Sequence, residues 1–330
     1  MDIAILGAGA WGSALAVSWS SMHRVRLWTR TRVDAEALIR SRESRYLPGV
    51  SIPASVAIVP EIDSAVAGAE LVIVATSTAG LRETATRVHA ISRAPTLGWA
   101  CKGFETSTAL LPHQVIAEVL PEARRVGALS GPSFALEVAR GLPTAVVFAA
   151  ADASFAHAIS ASMNSPRLRI YSSDDLAGVE LGGALKNVVA IAAGISDGLS
   201  LGRNARAALV TRGLAEISRL GVAMGGRAET FNGLTGLGDL VLTCTGDLSR
   251  NRDVGVRLAR GQKLDGILAE LGHVAEGVQS ARAAREHARS RGVEMPITEA
   301  VAALIAGHLP VMEAAAVLAS RSAKPEWYGA

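Results

Sequence analysis

Lys186 is the only charged residue in the run GGALKNVVAIAAGI, residues 182–195. At helical spacing its same-face neighbours are Gly182, Gly183, Val189 and Ala190, so no carboxylate stands three or four residues away to pair with it, and Glu180 points elsewhere. Apolar surroundings lower the pKa of an ammonium and make it a usable proton donor and acceptor near neutral pH. Glycines on the same face would let a ligand or another backbone come close. The competing reading is a core-helix lysine whose stem is packed and whose tip reaches water.

Other segments carry complementary chemistry. Gly7-Ala8-Gly9-Ala10-Trp11-Gly12 is a G-x-G-x-x-G turn that ends a strand-like DIAIL and opens a helix, where backbone N–H groups and the helix dipole can meet a pyrophosphate. After the second strand, where such sites usually carry an Asp or Glu for the ribose 2'-hydroxyl, this chain has Arg30, with Arg32 two residues on. A guanidinium pairs with a 2'-phosphate, which favours NADP(H) over NAD(H) and leaves NAD(H) as a second cofactor; a solvated loop arginine is the plainer alternative. Lys102 follows the strand TLGWAC at the edge where open parallel sheets bind ligands, and SGPSFA, residues 130–135, makes a similar strand-to-helix turn. Asp239 sits in the Gly-rich GLGDL, and Ser249-Arg250-Asn251 place three donors at a helix start suited to an anion or to an ordinary N-cap.

The elements that must hold these groups are legible from periodicity. Strand-like runs at 3–9, 24–29, 69–76, 96–102, 125–131 and 143–149 alternate with helical patterns at 11–20, 34–41, 61–67, 79–91, 108–119 and 133–140, the mark of βαβ units. From about Ser172 the pattern turns wholly helical, with segments at 175–196, 204–224, 229–244, 252–260, 266–272, 276–291, 298–306 and 310–320. The expected architecture is an α/β Rossmann-type domain with a parallel-rich sheet, residues 1–173, followed by an all-α domain, residues 174–330. The polar SSDD cluster at the join supplies an N-cap for the helix carrying Lys186.

Composition narrows the function classes. With 330 residues, 49% hydrophobic and 19% charged, the chain has material for two cores and no disorder signature. Its +3 charge is scattered and not interleaved with aromatics, so nucleic acid is not the expected partner and small anions are. Cys101 and Cys244 form no C-x-x-C pair and the seven histidines show no ligand spacing, so neither a disulfide framework nor a metal site is expected, and a reducing cytosol fits. The chain opens on a strand with no basic run before it, against a secretory signal. The uncharged stretch beyond Lys186, 187–196, is shorter than the roughly 18 to 20 residues a membrane span needs, so stable membrane insertion is not expected.

Taken in order, these segments closely resemble the bacterial-type NAD(P)-dependent glycerol-3-phosphate dehydrogenase family. The resemblance is carried by GAGAWGSALA, RYLPGV, CKGFE, SGPSFALEVARGLPTAV, ELGGALKNVVAIAAGISDGL, NARAALVTRGLAEISRLG, GLGDLVLTCTGDLSRNRDVG, AEGVQSA and GVEMPITEAV, nearly the whole chain, with ELGGALKN and SRNR far more specific than the glycine turn. It implies reversible reduction of dihydroxyacetone phosphate, a small phosphorylated triose, to sn-glycerol 3-phosphate for glycerophospholipid synthesis in the cytoplasm, with a homodimer as one expectation. It implies Lys186 as proton donor and acceptor, and Lys102, Gly131, Ser133, Asp239, Ser249, Arg250 and Asn251 at the substrate. At the cofactor it implies Gly7, Gly9, Ala10, Trp11, Gly12, Arg30, Tyr46, Lys102, Ala135, Arg250, Val274 and Glu276. Two departures stand out: Ala75-Thr76-Ser77 replaces a Val-Pro-Ser common in the family, and Thr29 replaces a small Gly or Ala before Arg30. Competing readings are a dehydrogenase for a β-hydroxy acid or ketopantoate-like carboxylate, and a dinucleotide-binding sensor or scaffold without turnover.

Overall fold

In the computed structural model, which describes residues 1–271 and 275–319, eight strands form one sheet. They are β1 (Asp2–Leu6), β2 (Arg24–Trp28), β3 (Ala57–Val59), β4 (Leu71–Val74), β5 (Leu97–Trp99), β6 (Val126–Ser130), β7 (Thr144–Ala149) and β8 (Leu168–Ser173), in the order β3-β2-β1-β4-β5-β6-β7-β8. Short apolar runs such as IAIL and LVIV are buried on both sides, which is what a parallel sheet covered on both faces demands. β1 to β6 run parallel, β6 and β7 pair antiparallel, and β8 follows β7 in parallel. The chain winds outward from β1 to β3 and then restarts at β4 on the other side of β1, making a topological switch point there.

Register brings the strand ends into line. Leu6 pairs with Val74, Val74 with Trp99 and Trp99 with Ala128, so Gly7, Ala75, the segment leading to Lys102 and the turn at Gly131 leave the sheet along one edge. That edge receives the helical half. One helix, Leu176–Gly198, is its axis: 23 residues, about 34 Å at 1.5 Å per residue, buried continuously from Gly178 to Ser196. Among the described residues it is the one helix long and apolar enough to cross a membrane, and its position inside the fold identifies it as a core helix. Asp175 caps it as expected, accepting from the Gly178 N–H at 2.9 Å, and the same carboxylate accepts from Arg227 N at 2.8 Å and Thr230 Oγ1 at 2.5 Å. Helices Gly202–Ala223, Asp239–Thr245, Arg250–Ala259 and Glu276–Ser290 pack around it.

The expected elements departed from the structure in four places. β3 and β8 were missed: β3 has only three residues and β8 alternates buried and exposed positions with polar ones, LRIYSS, so neither shows a long apolar run. The helix Ala153–Met163, capped by Asp152, was also missed. The single helix expected over 229–244 is instead Ala228–Phe231, a π-helical turn Leu234–Gly238 and a new helix from Asp239. Three glycines within 233–238 weaken the regular helix, and the wider turn re-aims the chain.

Candidate active site

Three elements meet at the C-terminal edge of the sheet. The segment after β5 brings Lys102, the central helix brings Lys186, and the residue just past the π-helical turn is Asp239. Asp239 is buried and bridges the two lysines: Lys186 Nζ donates to Oδ1 at 2.5 Å and Lys102 Nζ to Oδ2 at 2.7 Å. Lys186 also donates to Thr243 Oγ1 at 2.9 Å, and Thr243 in turn donates to the Asp239 carbonyl at 2.6 Å. Lys102 reaches the Gly131 carbonyl at 2.9 Å, which the Ser133 hydroxyl also contacts at 2.9 Å.

The electrostatics follow from burial. Desolvation brings Lys186 down to about 8; Asp239 opposes that fall and Lys102 adds to it. Burial alone would raise the Asp239 carboxyl, but the charges and hydrogen bonds of Lys102 and Lys186 hold it below the usual range. Two lysines on one aspartate leave the cleft with an excess positive charge. Burial pushes the adjoining Glu276 carboxyl up, against the charges of Arg250, Lys102 and Lys186. Lys186 is thus poised between protonation states beside a surplus cation, a setting for an anionic substrate that must gain or lose a proton.

Of the two uses expected for the glycines beside Lys186, a ligand or another backbone, the structure shows the second at Gly182 and a side chain at Gly183. A Cβ on Gly182 would lie 2.5 Å from the Thr235 carbonyl oxygen, and one on Gly183 would lie 2.9 Å from Ser130 Oγ. They admit the π-helical turn that delivers Asp239 and the end of β6, rather than a ligand. The carboxylate partner of Lys186 therefore comes from 53 residues away, across the helix interface.

A second cluster lies one turn along. Asn251 Nδ2 donates to Asn187 Oδ1 at 2.9 Å, Asn251 Oδ1 accepts from Gly277 N at 3.0 Å, and Asn187 Nδ2 approaches Glu276 Oε2 at 3.4 Å. Ser249 caps its helix by accepting from Arg252 N at 3.3 Å, and Arg250, the first helical residue, is exposed while its charge acts on Glu276. Thr243 and Asn187 were not singled out from sequence. Thr243 stands four residues after Asp239 on one helix, and Asn187 directly follows Lys186, so both spacings were visible.

The residues at the other end fit a dinucleotide. Helix Ala10–Trp19 begins at Gly9 with no side-chain cap and no acidic residue in its first turn, leaving its N–H groups to a ligand. Gly7 has φ +123°, and a Cβ there would press within 2.8 Å of Ala75, whereas one on Gly9 would meet nothing within 4 Å. The surface above the helix N-terminus is thus open. Ala135 begins a short helix, Ala135–Ala139, packed on Ala10–Trp19. Arg30 is exposed just beyond β2. Beside it Thr29, Ala8, Asp34 and Tyr46 line a cavity of about 330 Å³, with the Arg45 guanidinium 4.8 Å from the centre of the Tyr46 ring. Thr76, in the departing segment after β4, buries a hydroxyl that has no partner among the described residues. Val274 lies outside the described residues.

Comparison with known proteins places both halves of the chain in one family. Residues 2–156 match the model for the N-terminus of NAD-dependent glycerol-3-phosphate dehydrogenase and residues 175–316 the model for its C-terminus. The chain is 54% identical over 328 residues, 99% of its own length and 100% of the other's, to a glycerol-3-phosphate dehydrogenase (NAD(P)+) of Thiobacillus denitrificans. A crystal structure of glycerol-3-phosphate dehydrogenase from Coxiella burnetii superposes with a TM-score of 0.92 at 38% identity, covering 97% of this chain and 98% of that one. A ketopantoate reductase from Ralstonia eutropha, at 17% identity and TM-score 0.58 over 93% of this chain and 98% of that one, shares the fold alone. With both halves matched and the cleft between them built around Lys186, Asp239 and Lys102, the chain belongs to the NAD(P)-dependent glycerol-3-phosphate dehydrogenase family.

Proposed function

We propose that this enzyme interconverts dihydroxyacetone phosphate and sn-glycerol 3-phosphate with Lys186 as the proton donor and acceptor. The observation that carries this reading is the buried Lys186–Asp239–Lys102 bridge, whose Lys186 ammonium is held near the pH where it can both give and take a proton. When bound, the nicotinamide cofactor supplies or accepts the hydride. Lys186 Nζ donates its proton to the oxygen of the substrate carbonyl as negative charge develops there, and in the reverse direction removes the proton of the secondary hydroxyl. Asp239 fixes the direction of the ammonium and supports its charge, while Lys102 adds a second donor to the reacting oxygen and lowers the proton affinity of Lys186. Gly131 and Ser133 complete this wall. Ser249, Arg250 and Asn251, at a helix N-terminus, hold the phosphate; the Asn251 amide, already bonded to Asn187 and Gly277, retains one N–H for this purpose.

Gly7, Gly9, Ala10, Trp11 and Gly12 cradle the pyrophosphate, with Ala135 and Glu276 further along the cofactor; Val274 is a cofactor residue by the family resemblance. Arg30 and Tyr46 hold the adenosine end, and the exposed guanidinium favours NADPH over NADH. The two functional units are residues 1–173 for the cofactor and 174–330 for the substrate, in a cytoplasmic homodimer that sedimentation of the pure protein would test. Steady-state oxidation of NADPH and NADH with dihydroxyacetone phosphate, set against ketopantoate and a β-keto acid, tests the reading. The expected result is turnover with the triose phosphate alone and a higher kcat/KM with NADPH; preference for a ketoacid would overturn it.

A further inference from the structure

Glu180 takes no part in the chemistry above, yet its buried carboxylate accepts hydrogen bonds from two other elements. Oε1 accepts from the Trp99 indole N–H at 2.7 Å and from the His113 backbone N–H at 2.9 Å, and Oε2 meets His113 Nδ1 at 2.5 Å. Trp99 ends β5 three residues before Lys102, and His113 lies in the first turn of the helix Pro112–Val119. Glu180 itself precedes Lys186 by six residues on the same helix, about 9 Å along its axis. The carboxylate therefore ties the strand that presents Lys102 directly to the helix that presents Lys186. Burying an ionised group is costly, and an apolar residue would fill the same space at less expense to stability, so packing alone does not account for an acid here.

We propose that Glu180 is a positioning residue that sets the separation and rotation of the central helix against β5, and so keeps Asp239 shared between Lys102 and Lys186. Two contact points on β5 and on the following helix resist both sliding and rolling of the central helix, which a single contact would not. The charged groups around the two ends are few: His113 faces Glu180, while Asp239, Lys102 and Glu276 act on Lys186. Burial of the His113 ring would lower its pKa, but the hydrogen bond and charge of Glu180 outweigh it and leave it raised; burial likewise pushes the Glu180 carboxyl up, against the hydrogen bonds of His113 and Trp99. This inference rests on Lys186 being the proton donor.

Glu180→Gln keeps the shape and loses the charge and one acceptor. Misplacing the lysines by a fraction of an ångström should lower kcat on the order of ten- to a hundredfold and raise KM for dihydroxyacetone phosphate. The alkaline limb of the kcat profile should move toward lower pH by about half a unit, as the Lys186 ammonium loses the full support of Asp239. The NADPH dissociation constant, read by fluorescence titration, should stay within about twofold. A merely structural role would lower thermal stability and leave that limb where it is. Should Glu180→Gln fail to fold, His113→Gln, at a half-buried ring, must show the same shift in smaller measure. Wild-type kcat, KM and pH profile in the folded variant would overturn the proposal. If Lys186→Met is inactive while Glu180→Gln behaves as wild type, only this inference falls; if Lys186→Met turns over normally, the underlying reading falls as well.

Discussion

Lys186 and Asp239 stand 2.5 Å apart in the interior, joined across 53 residues of sequence. The relationship makes the lysine useful. Alone in its helix it would be a desolvated ammonium inclined to lose its proton; with Asp239 against it, it stays at about 8 and remains aimed.

The first consequence concerns pH. Dihydroxyacetone phosphate reduction needs the ammonium, so its kcat should fall as pH rises through about 8, and glycerol 3-phosphate oxidation, which needs the free amine, should rise over the same range. Asp239→Asn removes the charge that raises the Lys186 pKa, so the reductive limb should shift to lower pH. The variant should also lose stability, roughly 3–5 kcal/mol if both lysines remain charged in place. Rate profiles and thermal melts of wild type and Asp239→Asn check both statements.

Arg30 is exposed at the end of β2, beside the open N-terminus of helix Ala10–Trp19. Arg30→Ala should weaken NADPH binding about ten- to a hundredfold, the worth of a charge-assisted phosphate contact, and leave NADH binding unchanged. Fluorescence titration with the two cofactors measures this; equal loss with both removes Arg30 from the 2'-phosphate.

Asp175 holds the start of the central helix and the backbone at Arg227 with one carboxylate. Asp175→Ala removes an N-cap and strands a buried donor, a cost of roughly 2–3 kcal/mol. A loss of that size should appear as a melting temperature lower by about 5–10 °C. The Lys186 pKa, set by groups three turns away, should not move.

Much of this was legible in the residues. The glycine turn, the arginine that replaces an acid after β2, the Asp175 cap and the isolation of Lys186 are local features, and each stands where its spacing placed it. The sequence could not say what faces Lys186, because the partner arrives by tertiary packing through a π-helical turn that helical periodicity reads as unbroken helix. The same limit left open whether Gly182 admits a ligand or another backbone, which the Thr235 carbonyl against it decides. The antiparallel β6–β7 pair and the short β3 depend on neighbours rather than on their own side chains. Glu180 was set aside as pointing elsewhere, which is true of its direction, and its partners Trp99 and His113 lie 81 and 67 residues away.

The most direct measurement is single-turnover oxidation of bound NADPH by saturating dihydroxyacetone phosphate in Lys186→Met, with the NADPH dissociation constant measured on the same preparation. Loss of the general acid predicts a hydride-transfer rate lower by about 10²–10⁴-fold, with cofactor binding within about twofold of wild type. A folded Lys186→Met enzyme that binds NADPH normally and transfers hydride at near the wild-type rate would contradict the assignment of Lys186 as the proton donor.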